Sequence, residues 1–351
     1  MTFTQFQETL FEQFDASPEI VLEPRTKIVV MSDFHAGDGS SRDDLAKNGK
    51  LLLASLERYY FERGSILVLN GDIEEMQKFS YKEISASWKE LYAIFDRFAA
   101  ENRLYKIIGN HDELILEEEG YPYPIQSGLK LALGSRYIFI MHGHQASEFY
   151  TNYNHVSRAL IKYFVHTFGI KSLNVSRNSR RKFKIERRIY RFCQENGLVS
   201  IIGHTHRPLF ESLSKFDRLR FTIENLCREY PLADEKHKAQ IAATVADYKE
   251  EFGRLKRRER KSGSRLGIYD RDVLLPCLFN AGCAVGKKGI TAIEIENSKI
   301  SLVYWFETGK TRRYLERETA HSVAIPDSPY RRVVLSTDKL DYLFARIDLL
   351  A

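Results

Sequence analysis

The sequence is poor in cysteine, has no long apolar run and carries little net charge. Only four of its 351 residues are cysteine and none form a CxxC pair, so a disulfide framework is excluded and buried free thiols are expected. Its longest apolar runs, such as residues 66–69 and 137–141, are far shorter than the roughly 20 residues of a membrane-spanning helix. The N-terminus also lacks the basic and apolar regions of a secretory signal. We therefore expect a cytoplasmic protein.

The small net charge hides an uneven distribution. Lysine and arginine number 53 and acidic residues 47, which gives +6, a value that suits an anionic substrate but does not by itself indicate nucleic acid binding. Residues 145–196 hold eleven basic and three acidic side chains. This segment is interpreted either as a solvated helix face or as a basic cap that faces an anionic substrate or a membrane surface.

Apolar strand patterns alternate with helical patterns in the first third of the chain. Strands are predicted at 27–31, 65–70 and 105–108, with helices at 45–61 and 86–100 between them. This order predicts an α/β sheet whose active loops lie at the carboxyl ends of the strands. An antiparallel hairpin at 129–141 follows, and later strands at 198–202, 274–281, 290–295 and 300–306 complete the core.

We predict a helical leader at residues 1–24 and one domain at residues 25–351, with two helical insertions. The first insertion, residues 145–197, is the basic cap. The second, residues 211–265, has the spacing of a helical hairpin and ends in a basic run. The hairpin is expected to pack against the body or against a second subunit, and an oligomer would form through it.

Five short polar clusters each follow an apolar strand. They are Asp33-Phe34-His35, Gly71-Asp72, Gly109-Asn110-His111-Asp112, His142-Gly143-His144 and Gly203-His204-Thr205-His206. Six of the ten histidines fall in these clusters. Loops at the ends of separate strands can bring such side chains together at one edge of a sheet, where they can bind a metal.

In this order the five clusters resemble the motifs of the calcineurin-like metallophosphoesterases, which are D-x-H, G-D, G-N-H-D/E, a later His and G-H-x-H. The resemblance covers residues 25–210 and the strands near 274–307 but neither insertion. It implies an α/β fold in which a two-sheet β-sandwich is flanked by helices. It also implies a hydrolase that acts on phosphoric ester or pyrophosphate bonds.

The resemblance further implies a dinuclear metal centre. The residues implied are Asp33, His35 and His206 for one ion, Asn110, His142 and His204 for the other, and Asp72 as the bridge. Carboxylate, imidazole and amide ligands suit Mn²⁺, the metal we expect, as well as Fe²⁺ or Zn²⁺. Two ions about 3.5–4 Å apart lower the pKa of a bridging water and hold phosphate oxygens. The expected reaction is in-line attack by a hydroxide that bridges the ions.

His111 resembles the general acid or transition-state stabiliser of the family, which makes it a catalytic residue beside Asp72. We expect Asn110 and His111 to contact the substrate, with Arg180 and Arg181 of the cap as further contacts. The roles of two further residues of the clusters are less clear from the sequence. Asp112 either orients His111 or supports the turn, and His144 is expected next to the ligands without binding metal.

The substrate is expected to be a phosphomonoester or a pyrophosphate. The cap resembles that of the UDP-2,3-diacylglucosamine pyrophosphatase branch, which implies a lipid-linked substrate and peripheral membrane contact through the basic helices. That branch carries Arg at the position of His111, so other phosphorylated small molecules stay open. Two alternatives are a nuclease or nucleic-acid phosphoesterase that uses the basic helices, and a non-catalytic scaffold on the same fold.

Overall fold

The computed structural model describes residues 3–146, 179–213, 215–262, 275–310 and 322–350. Within them it contains eight α-helices and thirteen β-strands. The helices are α1 (Phe3–Ala16), α2 (Gly49–Ser55), α3 (Tyr81–Ser87), α4 (Lys89–Ala100), α5 (Ser179–Asn196), α6 (Lys215–Glu229), α7 (Glu235–Ser262) and α8 (Leu340–Leu350). A π-helical turn, Leu56–Phe61, continues α2.

The strands form two sheets. They are β1 (Glu19–Val21), β2 (Ile28–Met31), β3 (Ile66–Asn70), β4 (Leu104–Ile107), β5 (Ile125–Gln126), β6 (Leu129–Leu133), β7 (Arg136–Ile140), β8 (Val199–Ile202), β9 (Leu278–Asn280), β10 (Ile290–Glu296), β11 (Lys299–Glu307), β12 (Val323–Ala324) and β13 (Tyr330–Lys339). One sheet has the order β1-β6-β7-β8-β9 and the other has the order β12-β13-β11-β10-β2-β3-β4-β5.

The alternation of side chains along the central strands builds the layers. In β2, Val30 packs into the core shared by both sheets, whereas Val29 and Met31 face the layer that contains α2 and α4. In β3, Val68 lies in the first of these cores and Leu67 in the second. The predicted α/β fold, a two-sheet β-sandwich flanked by helices, is therefore confirmed.

Parallel pairing gathers the polar clusters at one edge of each sheet. Strands β2, β3 and β4 are parallel neighbours, so the loops after Met31, Asn70 and Ile107 leave from the same edge. In the other sheet β7 and β8 are also parallel, and the loops that carry His142 and His204 follow them. All five clusters thus begin where a strand ends, as predicted.

Several elements differ from the sequence prediction. The leader is not wholly helical, because β1 follows α1 and pairs in parallel with β6. Helix α3 begins before the predicted start at residue 86, at a capping box in which Ser80 and Glu83 exchange hydrogen bonds. No element was predicted after residue 306, where β13 pairs with β11 and α8 packs Leu343 into the core.

The leader also packs closely on the body, since α1 buries Phe6 and Leu10 in the core between the sheets. The predicted division into a leader and one domain stays a prediction.

Two of the four free thiols, Cys193 and Cys277, are buried, whereas Cys227 is exposed, so the expectation that the thiols are buried was wrong for Cys227.

The two insertions are described to different extents. Residues 147–178 of the cap lie outside the described residues, and α5 is the part of the cap that is described. In the second insertion a short turn at Tyr230–Leu232 joins α6 to α7, and the two helices pack against each other. Among the described helices, none combines the length and the apolar character needed to cross a membrane.

Candidate metal centre

Two groups of potential metal ligands at the strand ends share Asp72. One consists of Asp33, His35, Asp72 and His206, and the other of Asp72, His142 and His204. Within each group the potential ligand atoms lie within 4.8 Å of one another, and the same is true of a third group, His35, Glu75 and His111. Asp72 is the residue common to the first two groups, which is the position that a bridging carboxylate requires.

The donor atoms point at one another across short distances. His206 Nε2 lies 2.9 Å from Asp33 Oδ1, and His35 Nε2 lies 3.0 Å from His206 Nε2. On the other side, His142 Nε2 lies 3.1 Å from Asp72 Oδ2. Ring nitrogens and carboxylate oxygens that converge in this way present their lone pairs to a shared point, which suits a cation.

Buried donor atoms without partners test whether metal fits this site. Asn110 Oδ1 and His204 Nε2 are buried and accept no hydrogen bond from any described residue. Leaving such atoms unpaired costs free energy, and a divalent ion would satisfy both. Both atoms belong to the ligand set predicted for the second ion. The residues present therefore fit a dinuclear centre of divalent ions.

Asn110 is held near Asp72 by its neighbour in the chain. The His111 backbone N–H donates a 2.8 Å hydrogen bond to Asp72 Oδ1. A side chain at Gly109 would collide with the Asp72 backbone nitrogen, 2.2 Å from where its Cβ would lie. Glycine at this position is thus what lets the loop with Asn110 approach Asp72.

The backbone at the site is strained. Asp33, His35, Asp72, His204 and His206 all have φ between 47° and 60°, a region that non-glycine residues seldom adopt. Hydrogen bonds between the first two loops hold part of this conformation, because His35 N–H donates to the Asp72 carbonyl and Asp33 N–H donates to the Gly71 carbonyl. Strain that is kept at several ligands together is typical of a functional site.

Burial and neighbouring charges shift the pKa values of the predicted ligands. Burial alone would raise the pKa of Asp72, but the charges of His142 and His111 outweigh it and hold that pKa well below its usual value. Burial opposes the charge of His142, and Asp72 nevertheless raises its pKa to about 9. Burial and the charge of His142 lower the pKa of His204 to about 3. His204 is therefore held neutral, which is the form that binds metal, whereas His142 would release a proton when it binds metal.

Comparison with known proteins agrees with this geometry. The profile of the calcineurin-like phosphoesterase family matches residues 26–208, which include all five polar clusters. The chain belongs to this family. As a calcineurin-like phosphoesterase it is a metal-dependent hydrolase that acts on phosphoester bonds. No curated protein matches the chain.

Several solved structures are similar to this phosphoesterase at low identity. The Yfce phosphoesterase from E. coli is 12% identical, with 90% of this chain and 100% of that chain covered and a TM-score of 0.36. A Vps29 mutant from Entamoeba histolytica is 12% identical over 89% and 100%, with a TM-score of 0.34. A dimetal phosphatase from Danio rerio is 10% identical over 80% and 96%, with a TM-score of 0.32.

The predicted catalytic histidine has a partner that the sequence analysis missed. Glu75 Oε1 lies 2.9 Å from His111 Nδ1, and Glu75 Oε2 lies 2.9 Å from His35 Nδ1. One carboxylate thus orients both a metal ligand and the candidate acid. Burial lowers the pKa of His111, but Asp72 and the hydrogen bond to Glu75 raise it above its usual value. Both interactions favour the protonated ring.

We expect Glu75→Gln to lower kcat/KM of the phosphoesterase by about 10- to 100-fold, because the carboxylate that orients His35 and His111 loses its charge. Steady-state hydrolysis of an alkyl phosphomonoester, whose leaving group needs a proton, measures this effect with Mn²⁺ present. Glu57→Gln, which changes an exposed acid paired with Arg97, is the control. An unchanged rate in Glu75→Gln would contradict the assigned role.

Asp112 supports the turn and does not orient His111. Its Oδ1 accepts a 2.6 Å hydrogen bond from Gly109 N–H, and its Oδ2 accepts one of 2.9 Å from Ile73 N–H. Its carboxylate also contacts the fully buried Lys106, whose ammonium lies 2.6 Å from Glu74 Oε2. This buried network joins the loops after β3 and β4. Local sequence gave no sign of it, since a lysine in a short strand looks exposed.

We expect Lys106→Met to destabilise the fold by about 3–5 kcal/mol, because it leaves Glu74 and Asp112 buried beside each other without a counter-charge. Urea unfolding measures the change. Lys310→Met is the matched control, since that lysine pairs with Glu307 on the surface, where such pairs contribute about 1 kcal/mol or less. Equal losses in both variants would show that the buried network is not what stabilises these loops.

The remaining residues that the sequence singled out are described to different extents. His144 is buried, with its ring centre 5.4 Å from that of His142, and it belongs to neither group of potential ligands. Arg180 and Arg181 lie in the first turn of α5, and their side chains fall outside the described part of the chain. Their contact with substrate stays a prediction.

Proposed function

We propose that this calcineurin-like phosphoesterase hydrolyses a phosphomonoester or a pyrophosphate at a dinuclear centre that contains Mn²⁺. The observation that carries the proposal is that one buried carboxylate, Asp72, belongs to both groups of potential ligands. Two divalent ions there would activate water and neutralise charge on the phosphate oxygens. The non-catalytic alternative is disfavoured, because the full donor set is present.

Each residue of the candidate metal centre would have a distinct role. One ion would be held by Asp33, His35 and His206, and the other by Asn110, His142 and His204, with Asp72 shared by both. His111 lies beside both groups, and its Nδ1 is engaged by Glu75. Its Nε2 is the atom that would donate a proton to the leaving oxygen or a hydrogen bond to the phosphate.

The lipid-linked pyrophosphate is a narrower form of this proposal. The cap residues that would line an acyl groove fall within 147–178, outside the described residues. Contact with a membrane surface, association through residues 211–265 and a cytoplasmic location are likewise predictions that rest on the sequence.

A screen with Mn²⁺ tests the proposed function. Purified protein is offered phosphomonoesters, nucleotide-sugar pyrophosphates, phosphodiesters and single-stranded and double-stranded DNA and RNA. We expect turnover of a monoester or a pyrophosphate that stops when a chelator is added. If the protein hydrolyses only the nucleic acids, and its affinity for them falls steeply as the salt concentration rises, the nuclease alternative is favoured.

A further inference from the structure

Helix α5 is fastened to the loop that carries the last two predicted ligands. Glu186 of this helix is fully buried and accepts a 2.7 Å hydrogen bond from Thr205 Oγ1. It also binds the Arg207 guanidinium, with 3.2 Å between Arg207 Nε and Glu186 Oε1. Thr205 and Arg207 flank His206 in the chain. The middle of α5 is thereby held against the loop that carries His206.

A second contact fixes the same turn of the helix. The Arg207 guanidinium lies over the Phe183 ring, 4.4 Å from its centre. The planar cation is therefore held by Phe183 on one face and by Glu186 at its edge. With both contacts in place, the helix face that contains Glu186 packs against the loop that carries His204 and His206.

Lys182 lies on that face, because it precedes Glu186 by four residues in the helix. Its side chain is half-buried, whereas that of Lys184, two residues later, is exposed. Burial lowers the pKa of Lys182. The charge of Glu186 opposes this shift and that of Arg207 adds to it, whereas Cys283 and Asp33 raise the pKa by less. Because Thr205 and Arg207 flank His206, whose Nε2 lies 2.9 Å from Asp33 Oδ1, this face of α5 is fastened on the Asp33 side of the centre. Glu186, the acid on its own helix face, is already engaged by Thr205 and Arg207.

We propose, on the basis of the proposed function, that Lys182 determines substrate specificity by binding, at the Asp33 side of the centre, the phosphate oxygen that is free in a monoester and esterified in a diester. A partly buried ammonium favours the substrate with the greater negative charge. A phosphomonoester carries two negative charges near neutral pH and a phosphodiester carries one. Lys182 therefore selects for a terminal phosphate.

Two substrates with the same leaving group separate this role from a general one. They are 4-nitrophenyl phosphate, a monoester, and bis(4-nitrophenyl) phosphate, a diester, assayed with Mn²⁺. We expect Lys182→Gln to lower kcat/KM for the monoester by about 10- to 100-fold, the loss of one charged hydrogen bond. The diester should change by less than about 3-fold. Lys182→Arg should restore most of the preference.

Lys184→Gln is the matched control, since it removes the same charge from the exposed side of the same turn. It should leave both substrates unchanged. Equal losses for both substrates in Lys182→Gln would overturn the proposal and assign Lys182 to the docking of α5. No loss for either substrate would also overturn it.

Binding of inorganic phosphate gives a readout that does not depend on turnover. Calorimetry on the Mn²⁺-loaded protein should show phosphate affinity lowered about 10-fold or more in Lys182→Gln and unchanged in Lys184→Gln. If the wild-type protein hydrolyses no monoester and no pyrophosphate of the screen, the proposed function fails while this comparison still decides the role of Lys182. Equal phosphate affinity in wild type and Lys182→Gln would overturn that role.

Discussion

Replacing Asp72 with Ala is expected to lower kcat/KM by about 10³-fold or more, the largest effect of any single ligand. The change removes a ligand from both groups and with it several kcal/mol of charge stabilisation in the transition state. It also removes the acceptor of the His111 backbone hydrogen bond, so the loop with Asn110 loses an anchor. Steady-state hydrolysis and metal analysis of the same sample measure both consequences.

Two controls define the Asp72 result. Asp341→Ala removes an exposed carboxylate at the start of α8 and should leave the rate and the metal content unchanged. Asp33→Ala should weaken the retention of one ion only. If Asp72→Ala keeps two ions per chain and most of its activity, Asp72 does not bridge.

Replacing His111 with Ala is expected to lower turnover by about 10²- to 10⁴-fold while both ions stay bound. The reason is that its ring contributes to proton transfer or to phosphate binding and is absent from the two predicted ligand sets. A leaving group such as 4-nitrophenolate needs no proton, so its ester should be partly spared if His111 is the general acid. A role in phosphate binding would impair all esters alike.

Elemental analysis accompanies the His111 kinetics. His237→Ala, which removes an exposed histidine of α7 paired with Glu229, is the matched control and should change neither quantity. Loss of metal from His111→Ala would contradict both proposed roles, since it would make His111 a ligand.

Much of the candidate site follows from local sequence, for a physical reason. Strand patterns and the polar clusters after them are short-range signals, and parallel pairing then brings strand ends to one edge. Asp33, Asp72 and Asn110 each lie within three residues of the end of such a strand. Their common location could be predicted before any distance was known.

The supporting residues could not be predicted in the same way. Glu74 and Glu75 are adjacent and chemically alike, but Glu74 faces Lys106 and Glu75 faces the two histidines. Which of the two supports catalysis depends on the loop that joins β3 to α3 and on packing between distant segments. The burial of Lys106 likewise comes from contacts that its own strand does not encode.

Strands β1 and β13 were missed for a related reason. β1 has three residues, of which Glu19 and Val21 are exposed, so it lacks a periodic apolar pattern. β13 buries only Val333 among its ten residues. Their pairing with longer strands, and not their own composition, makes them part of the sheets.

The number of divalent ions bound per chain tests the dinuclear centre most directly. Protein stripped with a chelator, reconstituted with Mn²⁺ and freed of excess metal is analysed for metal content against protein concentration. The shared position of Asp72, with Asn110 and His204 beside it, predicts a value near two and no hydrolysis in the stripped protein. A value near one, or full activity in the presence of chelator, would contradict the dinuclear centre.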